Sequence, residues 1–167
     1  PLALWMHETN PGVGLAPRKD VERQLEAHYR GKGASLEEAE DRTARFLADV
    51  REHAGLFLER GADTYGFIHL TFEEYLAAVA IGRQGQLELQ KTIDKLCQHL
   101  SEPEWREVVL LTVGYLGIVQ KWEELASRVM EGILTHELGG DQRGLNVVVA
   151  GQATLDVRPA GVTAETQ

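Results

Sequence analysis

The chain has 167 residues, enough to bury one ordinary hydrophobic core or two small ones without a metal or a disulfide. Its formal charge of −9 at pH 7 disfavours nucleic-acid binding, because that affinity depends on neutralising phosphates with Lys and Arg. A single cysteine, Cys97, cannot form an internal disulfide, and no stretch approaches the roughly 20 apolar residues of a membrane span. These features predict a soluble cytoplasmic protein that binds neither nucleic acid nor membrane.

The first 33 residues predict two helices separated by a loop. Residues 2–6 have the composition of a helix interior, and the chain starts with Pro rather than Met, so we expect a fragment of a longer protein. The Gly and Pro residues between Asn10 and Gly14 predict a loop. Pro17 is then expected at the first position of the second helix, where its missing N–H costs nothing. The apolar residues of that helix recur every four positions: Val21, Leu25 and Tyr29.

A third helix and a hairpin complete the pattern of the first half. Ser35 and Glu38 form a capping box at the start of the helix, which Gly55 is expected to end. Alternating apolar residues then predict two strands, residues 56–60 and 65–69, joined by a four-residue loop. Three helices followed by a two-stranded hairpin are typical of a winged helix. The apolar face of the third helix comprises Ala39, Thr43, Phe46, Leu47, Val50 and Ala54.

The periodicity changes from strand to helix after His69. Thr71 and Glu74 fit a second capping box, in which each side chain bonds the other residue's backbone N–H. Glu73 is predicted to be a first-turn carboxylate stabilised by the helix dipole. The helical spacing predicts one inward apolar face: Phe72, Tyr75, Leu76 and Val79.

The second half of the chain predicts successive helical hairpins. We expect a winged-helix domain at residues 1–83 and the start of a helical-repeat domain of HEAT or armadillo type at residues 84–167. Residues 105–119 are apolar on nearly all sides, which predicts a buried helix. Residues 145–155 fit a strand or a helix, and the residues from Pro159 onward are expected to be a flexible tail. The predicted fold class is mainly α with one small antiparallel β-hairpin.

His69 is the candidate functional residue, because it stands at a strand end just before a helix begins. A ring N–H there can donate to an anion. Two alternatives are a half-buried imidazole that donates to a backbone carbonyl, and a metal site with Glu73 and Glu74, which the capping role of Glu74 disfavours. The remaining histidines share no spacing and are expected at the surface: His7, His28, His53, His99 and His136.

The strand-to-helix stretch resembles a known family. Gly55-Leu-Phe-Leu-Glu-Arg-Gly61 followed by Tyr65-Gly-Phe-Ile-His-Leu-Thr-Phe-Glu-Glu-Tyr-Leu-Ala-Ala78 is similar to the end of the winged-helix domain in NACHT proteins of the STAND class of signalling NTPases, which includes NOD-like receptors. Trp105-Arg-Glu-Val-Val-Leu-Leu111 resembles the first repeats behind that domain, and the likeness covers about residues 15–120. In that family the histidine equivalent to His69 contacts the β-phosphate of ADP and keeps the protein closed.

The resemblance implies a regulatory fragment of a nucleotide switch rather than an enzyme. The chain contains no Gly-x-x-x-x-Gly-Lys-Ser/Thr phosphate loop, so we expect no cofactor in the fragment itself and ADP or ATP with Mg in the intact parent. The implied partners are an upstream nucleotide-binding domain in the same chain, further copies on activation, and a protein bound to the repeats. A helical interaction scaffold and a transcriptional winged-helix module are the alternatives. The upstream effector, the sensed ligand, the oligomeric state and the number of repeats stay open.

Overall fold

The computed structural model describes residues 1–53, 55–61, 63–139, 142 and 144–157. The chain divides into two compact units, residues 1–77 and residues 78 onward. Both units are mainly helical. Among the helices of the described residues, none combines the length and the apolar character that crossing a bilayer requires.

The first unit is a winged helix. Its elements follow the order helix, strand, helix, helix, strand, strand, and a further helix then leaves the sheet. This order confirms the fold predicted from the sequence. The elements are α1 (Leu2–Thr9), β1 (Leu15–Pro17), α2 (Arg18–Gly31), α3 (Leu36–His53), β2 (Phe57–Glu59), β3 (Thr64–Phe67) and α4 (Leu70–Gly85).

The sheet has three strands, one more than the predicted hairpin. β3 lies in the middle and pairs antiparallel with β1 and β2. β1 was not predicted, because it has only three residues and ends in Pro17, which precedes α2 instead of opening it. Gly66 makes the pairing possible, since a Cβ there would lie 2.4 Å from Leu15 Cδ2 and 2.6 Å from the Gly14 carbonyl oxygen.

Helix α3 begins with the predicted capping box. The Ser35 N–H donates to Glu38 Oε2 at 2.8 Å, and the Glu38 N–H donates to Ser35 Oγ at 3.2 Å. Hydrogen bonding of the Glu38 carboxylate, first to the Ser35 backbone N–H and then to the Ser35 side chain, favours its charged form and lowers the pKa of Glu38. Helices α1, α2 and α3 pack with the sheet around one core: Ala3, Met6, Ala16, Val21, Leu25, Leu47, Val50, Phe57, Tyr65 and Phe67.

The second unit continues as helices. It contains the last part of α4 followed by α5 (Leu89–Gln98), α6 (Arg106–Gly114), α7 (Glu123–Thr135) and α8 (Leu145–Val157). The ambiguous stretch at residues 145–155 is therefore helical. The predicted tail from Pro159 lies outside the described residues. The repeat class and the domain boundary at residues 83 and 84 stay predictions.

The predicted buried helix at residues 105–119 changes its winding along its length. A 3₁₀ turn at Pro103–Trp105 leads into α6, which ends in a π turn at Tyr115–Val119. In that turn the Gln120 N–H donates to the Tyr115 carbonyl at 2.9 Å. The segment is buried on most sides, as predicted, and Cys97 on α5 is also buried.

Candidate functional site

His69 lies in the short turn between β3 and α4. β3 ends at Phe67 and α4 begins at Leu70, so the alternation predicted through residue 69 stops two residues earlier. Tyr65 and Phe67 accordingly face the core, whereas the His69 side chain is exposed. Its carbonyl oxygen accepts from the Phe72 N–H at 3.1 Å, which ties the turn to the first turn of the helix. The imidazole is therefore available to a molecule outside this unit.

Two side chains flank the His69 turn. The Arg60 guanidinium donates from Nη2 to the carbonyl oxygens of Phe67 at 3.3 Å and Ile68 at 2.8 Å, and so fixes the end of the strand. The Phe72 ring lies with its centroid 6.2 Å from that of His69. The exposed imidazole stands at the N-terminus of a 16-residue helix, where the positive end of the helix dipole favours an anion.

The inward face of α4 differs from the prediction. Phe72, Tyr75 and Leu76 are 38%, 37% and 39% exposed, although the helical spacing placed them in the core. The buried row is instead Glu73, Ala77 and Ile81, which recur every four residues. Ala77 and the adjacent Ala78 are also completely buried, whereas the bulky Phe72, Tyr75 and Leu76 lie on the outer face. Because the helix starts at Leu70, Thr71 lies inside its first turn rather than at its cap.

A buried pair joins α1 to the first turn of α4. His7 Nδ1 lies 3.2 Å from Glu73 Oε1, and both side chains are completely buried. His7 was predicted at the surface, which is wrong because its side chain is completely buried. Glu73 does lie in the first turn of α4, as predicted, but its carboxylate is buried against His7. The two residues are 66 positions apart, so no spacing rule connects them. The available indications were a histidine next to the apolar residues 2–6 and a glutamate in one row with Ala77 and Ile81.

Gly14 closes the other side of the Glu73 carboxylate. Its φ of +65° is a left-handed conformation that favours glycine. A Cβ there would lie 3.3 Å from Leu70 Cδ1 and 3.6 Å from Glu73 Oε2. Glu73 Oε2 has no hydrogen-bond partner among the described residues. The loop before β1 thus packs on the same helical turn that follows His69.

Among the described side chains, the histidines His28, His99 and His136 do not converge on a site, and the side chain of His53 lies outside the described part of the chain. His99 stacks on Trp105 with the ring centroids 3.7 Å apart and approaches Glu102 Oε1 at 3.0 Å. His28 on α2 has a lowered pKa, mainly because burial disfavours its charged form. His136 follows α7 and is half-buried. The described residues contain no group of three or more His, Cys, Asp and Glu side chains that could hold a metal ion.

One family model matches the chain. It is described as the winged helix-turn-helix domain C-terminal to NACHT, and it matches residues 1–81. The matched segment covers the whole winged helix and the first part of α4, including the His69 turn. The family is a winged-helix domain and not a catalytic domain. No curated protein and no solved structure matches the chain.

Proposed function

Because residues 1–81 belong to the winged helix-turn-helix domains that lie C-terminal to NACHT, we propose that this chain is the regulatory part of a nucleotide-dependent NACHT signalling switch. The upstream NACHT domain, in the same polypeptide, holds ADP or ATP with Mg, and His69 donates a hydrogen bond to a phosphate oxygen of ADP. That bond stabilises the closed state, and exchange for ATP releases the winged helix. The observation that carries the proposal is the exposed imidazole of His69 at the start of α4.

The electrostatics of the first turn of α4 support a phosphate ligand. Glu73, the first-turn acid, is buried against His7 and therefore does not accompany His69 at the surface. Arg60 lies on the other side of the turn and adds a positive charge, because its guanidinium bonds the backbone directly before His69. An imidazole N–H, a helix N-terminus and a guanidinium together suit an anion far better than a cation.

His69 alone does not suffice to bind the nucleotide. One hydrogen bond to a charged group contributes about 1.5–3 kcal/mol, whereas even millimolar affinity requires about 4 kcal/mol. We therefore expect isothermal titration calorimetry to detect no ADP binding to the 167-residue chain. Micromolar binding to this chain alone would show that the nucleotide site lies within it, and would contradict the proposed division of roles.

The decisive experiment measures ADP release from the chain joined to its nucleotide-binding domain. His69→Ala removes one charge-assisted hydrogen bond, so we expect ADP to dissociate about 10- to 100-fold faster. His136→Ala is the matched control, because it removes a half-buried imidazole from the second unit. Stopped-flow fluorescence of a labelled ADP gives the rate. An unchanged rate in the His69 variant would remove His69 from this role.

The proposal extends to location and partners. We propose a cytoplasmic protein that assembles with further copies of itself when ATP replaces ADP. A second candidate function, protein binding through the helical unit, is favoured by exposed apolar side chains on α8, where Val147, Val148 and Leu155 are 57%, 56% and 71% exposed. Light scattering of the joined chain with ADP and with ATP tests the assembly step, which predicts a higher mass only with ATP.

A further inference from the structure

The buried pair of His7 and Glu73 is a polar link between α1 and the start of α4. The His7 Nδ1–H donates to Glu73 Oε1, and both side chains are inaccessible to solvent. Among the described residues, His7 supplies the carboxylate's one hydrogen bond. Glu73 thus depends on a helix at the opposite end of the winged-helix sequence.

Stability does not explain why an ionisable pair occupies this position. Removing a carboxylate and an imidazole from water is costly, and apolar residues of similar volume often stabilise a core equally well or better. A hydrogen bond differs from an apolar contact in having a direction. The pair therefore defines the rotation of α4 about its axis more sharply than Ala77 on the same row can.

The rotation of the first turn determines where the His69 ring lies. Glu73 follows Phe72 directly, so holding Glu73 inward turns Phe72 by about 100° toward the surface. The Phe72 ring then lies beside the His69 ring, and the Phe72 N–H bonds the His69 carbonyl. Gly14 packs on the opposite side of the same turn, against Leu70 and Glu73. The Phe72 ring beside the imidazole is thus positioned through the buried contact of Glu73 with His7.

We propose that Glu73, held by His7, is a positioning residue that aims the His69 imidazole at its phosphate ligand. This inference rests on the proposed function and adds two residues to it, neither of which touches the nucleotide. It implies that α1 and the strand-to-helix turn act as one rigid body. A loss of the pair misdirects the imidazole without removing it.

A double-mutant cycle with His69 tests the proposal in the chain joined to its nucleotide-binding domain. We expect Glu73→Ala to accelerate ADP dissociation at least 5-fold on its own and by less than 2-fold in the His69→Ala background, because the contact it directs is already gone. Equal acceleration in both backgrounds, or none in either, would overturn the proposal. If His69→Ala alone leaves ADP release unchanged, the proposed function fails. The NMR resonance of the His69 ring in the 167-residue chain then decides whether Glu73 orients the imidazole.

A second variant separates positioning from folding. His7→Leu with Glu73→Leu replaces the pair by apolar side chains, so we expect a fold at least as stable as the parent in thermal unfolding, yet ADP release accelerated to the level of Glu73→Ala. Normal ADP release from this stable variant would contradict the proposal. Because the variant is folded, slow or fast release cannot be attributed to unfolding.

The third readout needs no nucleotide. In the 167-residue chain, the ring Hε1 resonance of His69 is sensitive to the nearby Phe72 ring. We expect the double leucine variant to move this resonance while that of His136, in the other unit, keeps its position. A His69 resonance that coincides with that of the parent would show that the pair does not orient the ring.

Discussion

Cys97 shows how burial changes the chemistry of a side chain. Its thiol lies on α5 with 5% of the residue exposed and donates to the Gly132 carbonyl with Sγ 3.8 Å from the oxygen. Burial is the main cause that raises its pKa to about 11, and the charge of Asp94 adds to the effect. We expect slow labelling by a disulfide reagent at pH 7.5 in the folded chain and rapid labelling in denaturant.

The same shift predicts how stability depends on pH. The thiol ionises near pH 9.0 when unfolded and near 11 when folded, so the unfolded chain binds fewer protons between these values. Stability from this group is therefore complete below pH 9 and is lost as pH rises toward 11. Urea unfolding of the parent and of Cys97→Ala at pH 8 and pH 10.5 should show a smaller pH effect in the variant. An identical pH effect in both proteins would contradict the shift.

The residues of the candidate site differ in how far the sequence could predict them. His69 could be proposed as a candidate from the sequence because the strand before it and the helix after it lie within a few positions, and its role stays a prediction. The Ser35 and Glu38 capping box was predicted for the same reason, since both bonds are local. The pairing of His7 with Glu73 depends on the packing of α1 against α4, and no local pattern encodes a contact across 66 residues.

Strand pairing in the sheet depends on the absence of a side chain at Gly66. A Cβ there would meet the Gly14 carbonyl oxygen at 2.6 Å, and backbone cannot move aside as a flexible side chain can. We expect Gly66→Ala to lower the free energy of unfolding by about 2–3 kcal/mol, in the range of an overpacked core position. Circular dichroism with urea measures the change.

The matched control is Gly31→Ala at the end of α2. A Cβ at Gly31 meets nothing within 4 Å, and alanine favours helix over glycine by up to about 1 kcal/mol. We therefore expect Gly31→Ala to be neutral or stabilising. A loss of stability equal to that of Gly66→Ala would show that the packing around Gly66 is not the cause.

The sequence predicted most elements but misjudged one strand and one helix face. Long amphipathic helices such as α3 follow from periodicity, because their apolar residues repeat over several turns. β1 has no such repeat and exists because β3 offers it a partner. On α4 the apolar residues have helical spacing on both sides, so only packing decided that the row of Ala77 is buried and that of Phe72 is exposed.

The charge of the whole molecule argues against a role in DNA binding. The helix that would read a major groove in a transcriptional winged helix is α3, which carries three arginines and six acidic residues. We expect no shift of duplex DNA at 50 mM salt. The positive control is a variant with Glu37→Lys, Glu40→Lys and Asp41→Lys. Its added positive charge should give non-specific binding to the same DNA. Salt-sensitive binding by the parent chain would restore the transcriptional alternative.

The three-stranded sheet also determines how a neighbouring polypeptide can bind to its edges. β3 has partners on both sides, and each outer strand is only three residues long. β1 ends in Pro17, which has no N–H to offer. Neither edge strand therefore offers a long row of backbone groups with which another chain could pair. Growth into fibrils from this sheet is disfavoured for that reason. A protein that docks here recognises side chains rather than backbone.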